Sequence, residues 1–211
     1  MSERGIIIGG GAFAREVLCW AANAKVPNEL PAFSHYLDAD PDVLVGFPEL
    51  SLSYLGDAAT YQPQNGDIFL IGIGDPDTKS WIVEHLTALG AEFATVIHST
   101  AVISATAEIG NGVVIGPSAY IATHSAVGDF TCINSLTGIG HDSKIGEHCT
   151  ISSQVDVTGN VVIGPMTFIG SGASIMPNVE VGRSSKIGAG ALVVRSVRPG
   201  TTMFSTPARK F

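Results

Sequence analysis

His141 and Asp142 are adjacent, in the run Ile139, Gly140, His141, Asp142, Ser143. A neutral imidazole can take a proton from an amine or hydroxyl nucleophile, and a nearby carboxylate can orient the ring and raise its basicity. Adjacent residues do not automatically hydrogen-bond, so the role of Asp142 depends on the local backbone. The bland alternative is a surface histidine beside a surface aspartate.

A second group of residues suits phosphate. Gly5 to Gly9 form a short apolar run followed by Gly10 and Gly11, and Phe13, Val17, Leu18 and Ala21 then recur at helical spacing. This reads as strand, tight turn, helix, with Gly9, Gly11 and Ala14 in the G-x-G-x-x-G/A places. Glycines there let a phosphate approach backbone amides at the positive end of the helix dipole. Ala32 to Leu37 read as the next strand, ending at Asp38, where an acid can grip a ribose hydroxyl; a solvated turn is the alternative.

The strand over IFLIGIGD ends in a turn at Gly74 and Asp75. A helix from about Thr78 to Leu89 follows, with an apolar stripe of Trp81, Ile82, Val83, Leu86 and Leu89. Phe93 to Ile97 form a last strand running into the second half. Two or three strand–helix units in residues 1–95 make a Rossmann-like half domain, enough for a mononucleotide. A dehydrogenase would need a second nucleotide half, and none is present.

What carries His141 is a repeat. Every sixth residue from Ile97 to Val193 is Ile or Val, seventeen in succession. The residue two places earlier is mostly small, and Gly often follows the aliphatic. This is the hexapeptide repeat of a parallel β-helix. The aliphatic and small residues point into the coil while the residue between them faces out. Gly after the aliphatic suits a corner with positive φ. Three rungs close one triangular coil, so residues eighteen apart stack, and the flat faces invite other subunits. His141 is then a corner residue projecting outward, and His124, eighteen residues before Asp142, is a rival partner for that carboxylate.

Composition sets the remaining bounds. The 211 residues are 45% hydrophobic but only 7% aromatic, which suits a coil filled with Ile, Val and Ala. A net charge of -8, without clustered Lys or Arg, argues against nucleic acid. There is no apolar run of membrane-helix length and no export signal. Cys19, Cys132 and Cys149 have neither metal nor redox spacing, and a reducing cytoplasm is expected.

The segments GGGAFAREV, YLDADPD, IGIGDPD, FATVIHSTAVIS, GHD and the terminal STPARK together resemble bacterial acyltransferases of surface-sugar biosynthesis. These are the bacillosamine and perosamine N-acetyltransferases and the sialic-acid O-acetyltransferase relatives. The resemblance covers the whole chain. It implies a left-handed β-helix over 96–211 with a C-terminal tail, assembled as a homotrimer with the active site between subunits. It implies acetyl-CoA as donor, a nucleotide-linked amino sugar as acceptor, His141 as general base and Asp142 as the acid that increases its basicity. Gly9, Gly11, Ala12, Phe13 and Asp38 would hold the acceptor's nucleotide, with Gly74 and Asp75 nearby. Thr150, Ser171 and Ala189 would line the acetyl-CoA site. Departures are Phe13 and Thr150, where relatives carry histidines, and Ser205 in place of a glycine. No metal is expected, because His124, His141 and His148 do not match the zinc-binding spacing of the β-helical carbonic anhydrases. O-acetylation of a hydroxyl and a non-catalytic nucleotide-sugar-binding protein are the alternatives to N-acetylation.

Overall fold

The computed structural model describes residues 3–25 and 30–206; Pro207 and Ala208 of the terminal motif lie outside them. The first half comprises β1 (Arg4–Ile8), α1 (Ala12–Ala22), β2 (Phe33–Leu37), β3 (Ser53–Tyr54), β4 (Asp67–Ile71), α2 (Pro76–Ala88) and β5 (Glu92–Phe93). Its sheet is parallel throughout, ordered β3-β2-β1-β4-β5. Ile6, Ile7, Ile8, Phe69, Leu70 and Ile71 are all buried, as strands covered on both faces require, which is why β1 and β4 read as unbroken apolar runs. The chain leaves β1 toward β2 and β3, then crosses back to β4 on the other side. A crevice therefore opens outside the carboxyl ends of β1 and β4.

Two local expectations are corrected. Phe93 to Ile97 do not form one strand: Glu92–Phe93 pair with β4, whereas Val96–Ile97 pair with Val114–Ile115 in the second half. Ala94 and Thr95 carry the chain from one sheet to the other. The α2 stripe also differs. Ile82, Val83 and Leu86 are buried, but Trp81 is 55% exposed and stacks on His85, and Leu89 is 40% exposed. The buried stripe instead continues through Lys79, which has no exposed surface.

The second half is a parallel β-solenoid. Two-residue strands from Val96–Ile97 to Leu192–Val193, with Thr202–Met203 beyond them, form three sheets of six, five and seven strands. The eighteen-residue stacking holds, with Ile121 opposite Ile139 and Ile139 opposite Val157. The aliphatic series fills one continuous core. Ser and Thr at the small inward positions are buried too, and each hydroxyl is satisfied: Thr131 donates to the Gly146 carbonyl at 2.7 Å and Ser143 to that of Thr158 at 2.8 Å.

The glycines after the aliphatics are not at the positive-φ corner. That conformation falls two residues later, on Ser118, His124, Phe130, Leu136, Asp142, His148, Gln154, Asn160, Met166, Asn178 and Ser184 as well as Gly112, Gly172 and Gly190. The glycine after the aliphatic answers to close packing between coils. A Cβ on Gly146 would lie 2.6 Å from the Pro165 nitrogen, and one on Gly128 2.7 Å from the Glu147 nitrogen.

Three faces and three edges result. The first face turns Val102, Tyr120, Gly138, Asp156, Ser174 and Leu192 outward; the second Glu108, Ala126, Lys144, Val162 and Glu180; the third Val96, Val114, Cys132, Thr150, Phe168 and Lys186. The α/β half packs on the third face, where Val96, Val114 and Cys132 join Ile7, Val17 and Trp20 in one buried cluster. The first face keeps Val102, Tyr120 and Leu192 more than half exposed.

Candidate active site

Asp142 occupies the left-handed corner position, with φ 60°. An L-residue other than Gly pays about 1 kcal/mol for this conformation, and Asp tolerates it better than most. The turn sends the carboxylate back along the chain, so that Asp142 Oδ2 lies 2.7 Å from Nδ1 of His141. An ionised carboxylate can only accept, so a neutral ring bonded to it carries its hydrogen on Nδ1 and keeps the Nε2 lone pair free. Asp142 thus pairs with its neighbour. His124 is in the equivalent position of the coil before, and its backbone NH bonds Thr106 Oγ1 at 3.1 Å.

The backbone of His141 is fixed on its own coil and the next. Its carbonyl accepts from the Asn160 amide at 2.9 Å and from Ser143 Oγ at 3.5 Å. Its side chain remains 59% exposed and that of Asp142 52%, so the pair faces outward from the edge between the first and second faces. This arrangement can accept a proton from a group that approaches from solvent or from another copy of the chain.

The residues with phosphate-binding spacing come together elsewhere, at the carboxyl edge of the five-stranded sheet. Gly9 has φ 97°, and a Cβ there would meet the Gly72 carbonyl at 3.2 Å, so the two glycine turns lie side by side. Phe13 borders Gly74, where an added Cβ would be 3.8 Å from its ring. Gly11 caps α1 without any side-chain bond, there is no acid in the first turn, and Ala12 and Gly11 are exposed. Arg15 donates to the Gly10 carbonyl at 3.3 Å and lies over the Phe47 ring, adding positive charge beside the turn. Asp38 closes this corner: Oδ2 accepts from the Gly10 amide at 2.8 Å and Oδ1 from that of Asp40 at 2.9 Å. Tyr36 and Tyr54 pin the following turn through the Pro41 and Asp38 carbonyls.

Asp75 has a different local duty. It is the N-cap of α2, accepting from both the amide and the hydroxyl of Thr78, at 2.9 and 2.7 Å. Those bonds hold its carboxyl below the ordinary aspartate range. Between Gly9, Asp38 and α2 lies a cleft of about 260 Å³, whose walls include Leu37, Asp57, Ala58, Ile73 and Ile82. These wall residues carry no motif, and the β3–β4 loop that supplies Asp57 and Ala58 gives no periodic signal.

The three residues assigned to the acetyl-CoA site are separated. Ser171 and Ala189 are exposed and stack on the edge between the third and first faces; Gly190 donates to the Ser171 carbonyl and Ser205 Oγ to that of Ala189. Thr150 is buried on the third face beneath α2, where Lys79 Nζ donates to its hydroxyl. His141 lies at the opposite end of the first-face strands from Ser171 and Ala189. One copy of the chain does not bring them together.

Lys79 went unnoticed in the sequence, although it stands three, four and seven residues before Ile82, Val83 and Leu86, on their stripe. Cys149 nearby is buried in the coil, and desolvation raises its thiol to about 11, so it is inert. Among the described residues no three of His, Cys, Asp or Glu are grouped to hold a metal, and no helix is long and apolar enough to cross a membrane.

Residues 160–195 match the family profile of the bacterial transferase hexapeptide (six repeats). No curated protein matches the chain in sequence. Solved structures do. A histidine-to-asparagine variant of perosamine N-acetyltransferase from Caulobacter crescentus, in complex with CoA and GDP-perosamine, is 26% identical with a TM-score of 0.84, covering 97% of this chain and 95% of that one. WeeI from Acinetobacter baumannii AYE is 26% identical with a TM-score of 0.84, covering 99% of each chain. The acetyltransferase domain of PglB from Neisseria gonorrhoeae FA1090 shares the fold at 23% identity and a TM-score of 0.81 over the full length of both chains. In repeat, solenoid and full-length fold the chain is similar to acyltransferases of the hexapeptide-repeat kind. The particular likeness is to perosamine N-acetyltransferase, and it extends to the α/β half as well as the coil.

Proposed function

We propose that this protein transfers an acetyl group from acetyl-CoA to the amino group of a nucleotide-linked amino sugar, in the bacterial cytoplasm and for surface-glycan biosynthesis. The observation that carries the reading is the outward His141–Asp142 pair at 2.7 Å, on a scaffold whose likeness includes an enzyme bound to CoA and GDP-perosamine.

In this reading the Rossmann-like half, residues 1–95, presents the nucleotide in the crevice at Gly9, Gly11, Ala12, Phe13, Asp38, Gly74 and Asp75. The open α1 N-terminus and Arg15 favour the phosphates, and Asp38 keeps lone pairs free for a ribose hydroxyl. The left-handed solenoid that follows carries the chemistry. Ser171 and Ala189 offer small side chains along an exposed edge, which suits an extended pantetheine arm. Because His141 occupies a different edge, the site is completed by a second copy, in a homotrimer. Thr150, bonded to Lys79, holds the α/β half on the coil.

His141 Nε2 takes the proton from the sugar amine as its nitrogen bonds the acetyl carbon and the carbon–sulfur bond breaks; that proton then passes to the departing thiolate. The Asp142 carboxylate stabilises the imidazolium formed on the way. Thiol release with a panel of nucleotide-linked amino sugars tests this. His141→Ala is expected to lower turnover by about 10²-fold or more while CoA binding and oligomeric state persist. Unchanged turnover in that variant would remove the assignment. Release with hydroxylated acceptors but not with amines would favour O-acetylation.

A further inference from the structure

The His141 ring rests on the coil that follows it. Gly159 is eighteen residues further on, directly beneath, and a Cβ built there would lie 2.5 Å from His141 Nε2 and 2.6 Å from Cε1. Real Cβ atoms essentially never make a non-bonded contact so short. The three nearest atoms all belong to that ring, whereas a Cβ on Gly140 would strike the backbone of Thr158 and Gly159. Gly159 is not in the left-handed region, so its conformation gives no reason for a glycine. Neighbouring backbone is already fixed, with Asn160 donating to the His141 carbonyl at 2.9 Å and Ser143 Oγ to the Thr158 carbonyl at 2.8 Å. The missing side chain leaves a ledge that the imidazole occupies while its Nδ1 meets Asp142.

We infer that Gly159 is a positioning residue for His141, setting the ring orientation in which Nδ1 meets Asp142 and Nε2 faces the acceptor. A methyl group on the ledge lifts the exposed ring, which is free to turn away at little cost to the fold. The stacked Gly159–His141 pair extends the catalytic unit from two residues on one coil to three on two coils. Its kinetic part rests on the reading of His141 as the base.

The test is Gly159→Ala in the full-length protein, in wild-type and His141→Ala backgrounds. The single variant is expected to keep its melting temperature within about 2 °C, because only an exposed side chain must move. Its kcat is expected to fall about tenfold or more with acetyl-CoA and acceptor KM values within about twofold, the pattern of a lost transition-state interaction. The ¹⁵N shifts of the His141 imidazole should report a changed tautomer balance. In the His141→Ala background, where the ledge is vacant, the same substitution should change neither kcat nor melting temperature. An equal loss of kcat in both backgrounds, or loss of folding in both, overturns the inference in favour of a structural role for Gly159. Unaltered His141 shifts in the single variant overturn it as well. If the shifts move while turnover is unchanged, the positioning stands and the base assignment falls.

Discussion

Lys79 Nζ, on α2, lies 3.0 Å from Thr150 Oγ1 and 2.8 Å from the Cys149 carbonyl oxygen, on the third face of the solenoid. A third contact reaches Cys132 Sγ at 3.5 Å. The ammonium has no exposed surface, and these acceptors replace the water it has lost. This cluster ties the α/β half to the coil at the rung that carries Thr150.

Removing it should loosen that seam. Lys79→Ala leaves a carbonyl and a hydroxyl without a donor and opens a cavity, at a cost of roughly 3 kcal/mol. Lys79→Met fills the space and removes the buried charge, so it should cost less than half as much. Thr150→Val removes one acceptor, at about 1 kcal/mol. Urea unfolding of the three variants checks the order. With Thr150 bonded to Lys79, the acetyl-CoA KM of Thr150→Val should stay within about twofold; a tenfold rise would put its hydroxyl at the thioester.

Asp142→Asn separates charge from shape at the corner. The amide retains the size of the carboxylate but can donate from nitrogen to Nδ1, which stabilises the tautomer with hydrogen on Nε2. Turnover is expected to drop about tenfold or more with unchanged KM values, read by thiol release. Full activity in this variant would mean that the 2.7 Å contact has no part in catalysis.

A pH dependence of stability follows from His148. The ring stacks on Phe130, its residue is 8% exposed, and its Nδ1 has no partner. Burial first, and the Lys79 ammonium second, push its pKa below the ordinary histidine value, against the opposing effects of Glu147, Glu84 and Asp129. The folded state thus holds the neutral ring, while the unfolded chain binds a proton below about pH 6.5. Stability is fully present above that pH and declines as pH falls toward the lowered folded value. Melting temperatures between pH 5 and 8 should show this slope in the wild type and a reduced one in His148→Phe, which keeps the stack and removes the titration.

Much of the architecture was legible because it depends on short-range periodicity. The six-residue spacing from Ile97 to Val193 sets which side chains fill the coil, and no tertiary detail alters it. The β1 and β4 runs were readable for the same reason, since strands covered on both faces carry apolar residues without alternation. The glycines misled in one respect. Their positions were visible, but sequence alone does not distinguish a glycine needed for φ from one needed for clearance. The structure assigns Gly128 and Gly146 to clearance and places Asp142 in the corner conformation.

The candidate site divides along the same line. Residue types and order sufficed to propose His141 with Asp142 as a proton-transfer pair, Gly9, Gly11 and Ala14 as a phosphate-binding pattern and Asp38 as a ribose contact, because such patterns are coded by neighbours in the chain. What depends on residues far apart in sequence needed the fold: Lys79 over Thr150, Asp57 in the cleft beside Asp38, and Gly159 beneath His141. Sequence determined the prism and the residues able to move a proton. Only tertiary structure decided that Asp142 serves His141 instead of His124, because a single left-handed φ aims the carboxylate, and that the ring has room to lie beside it, because the next coil presents no side chain there.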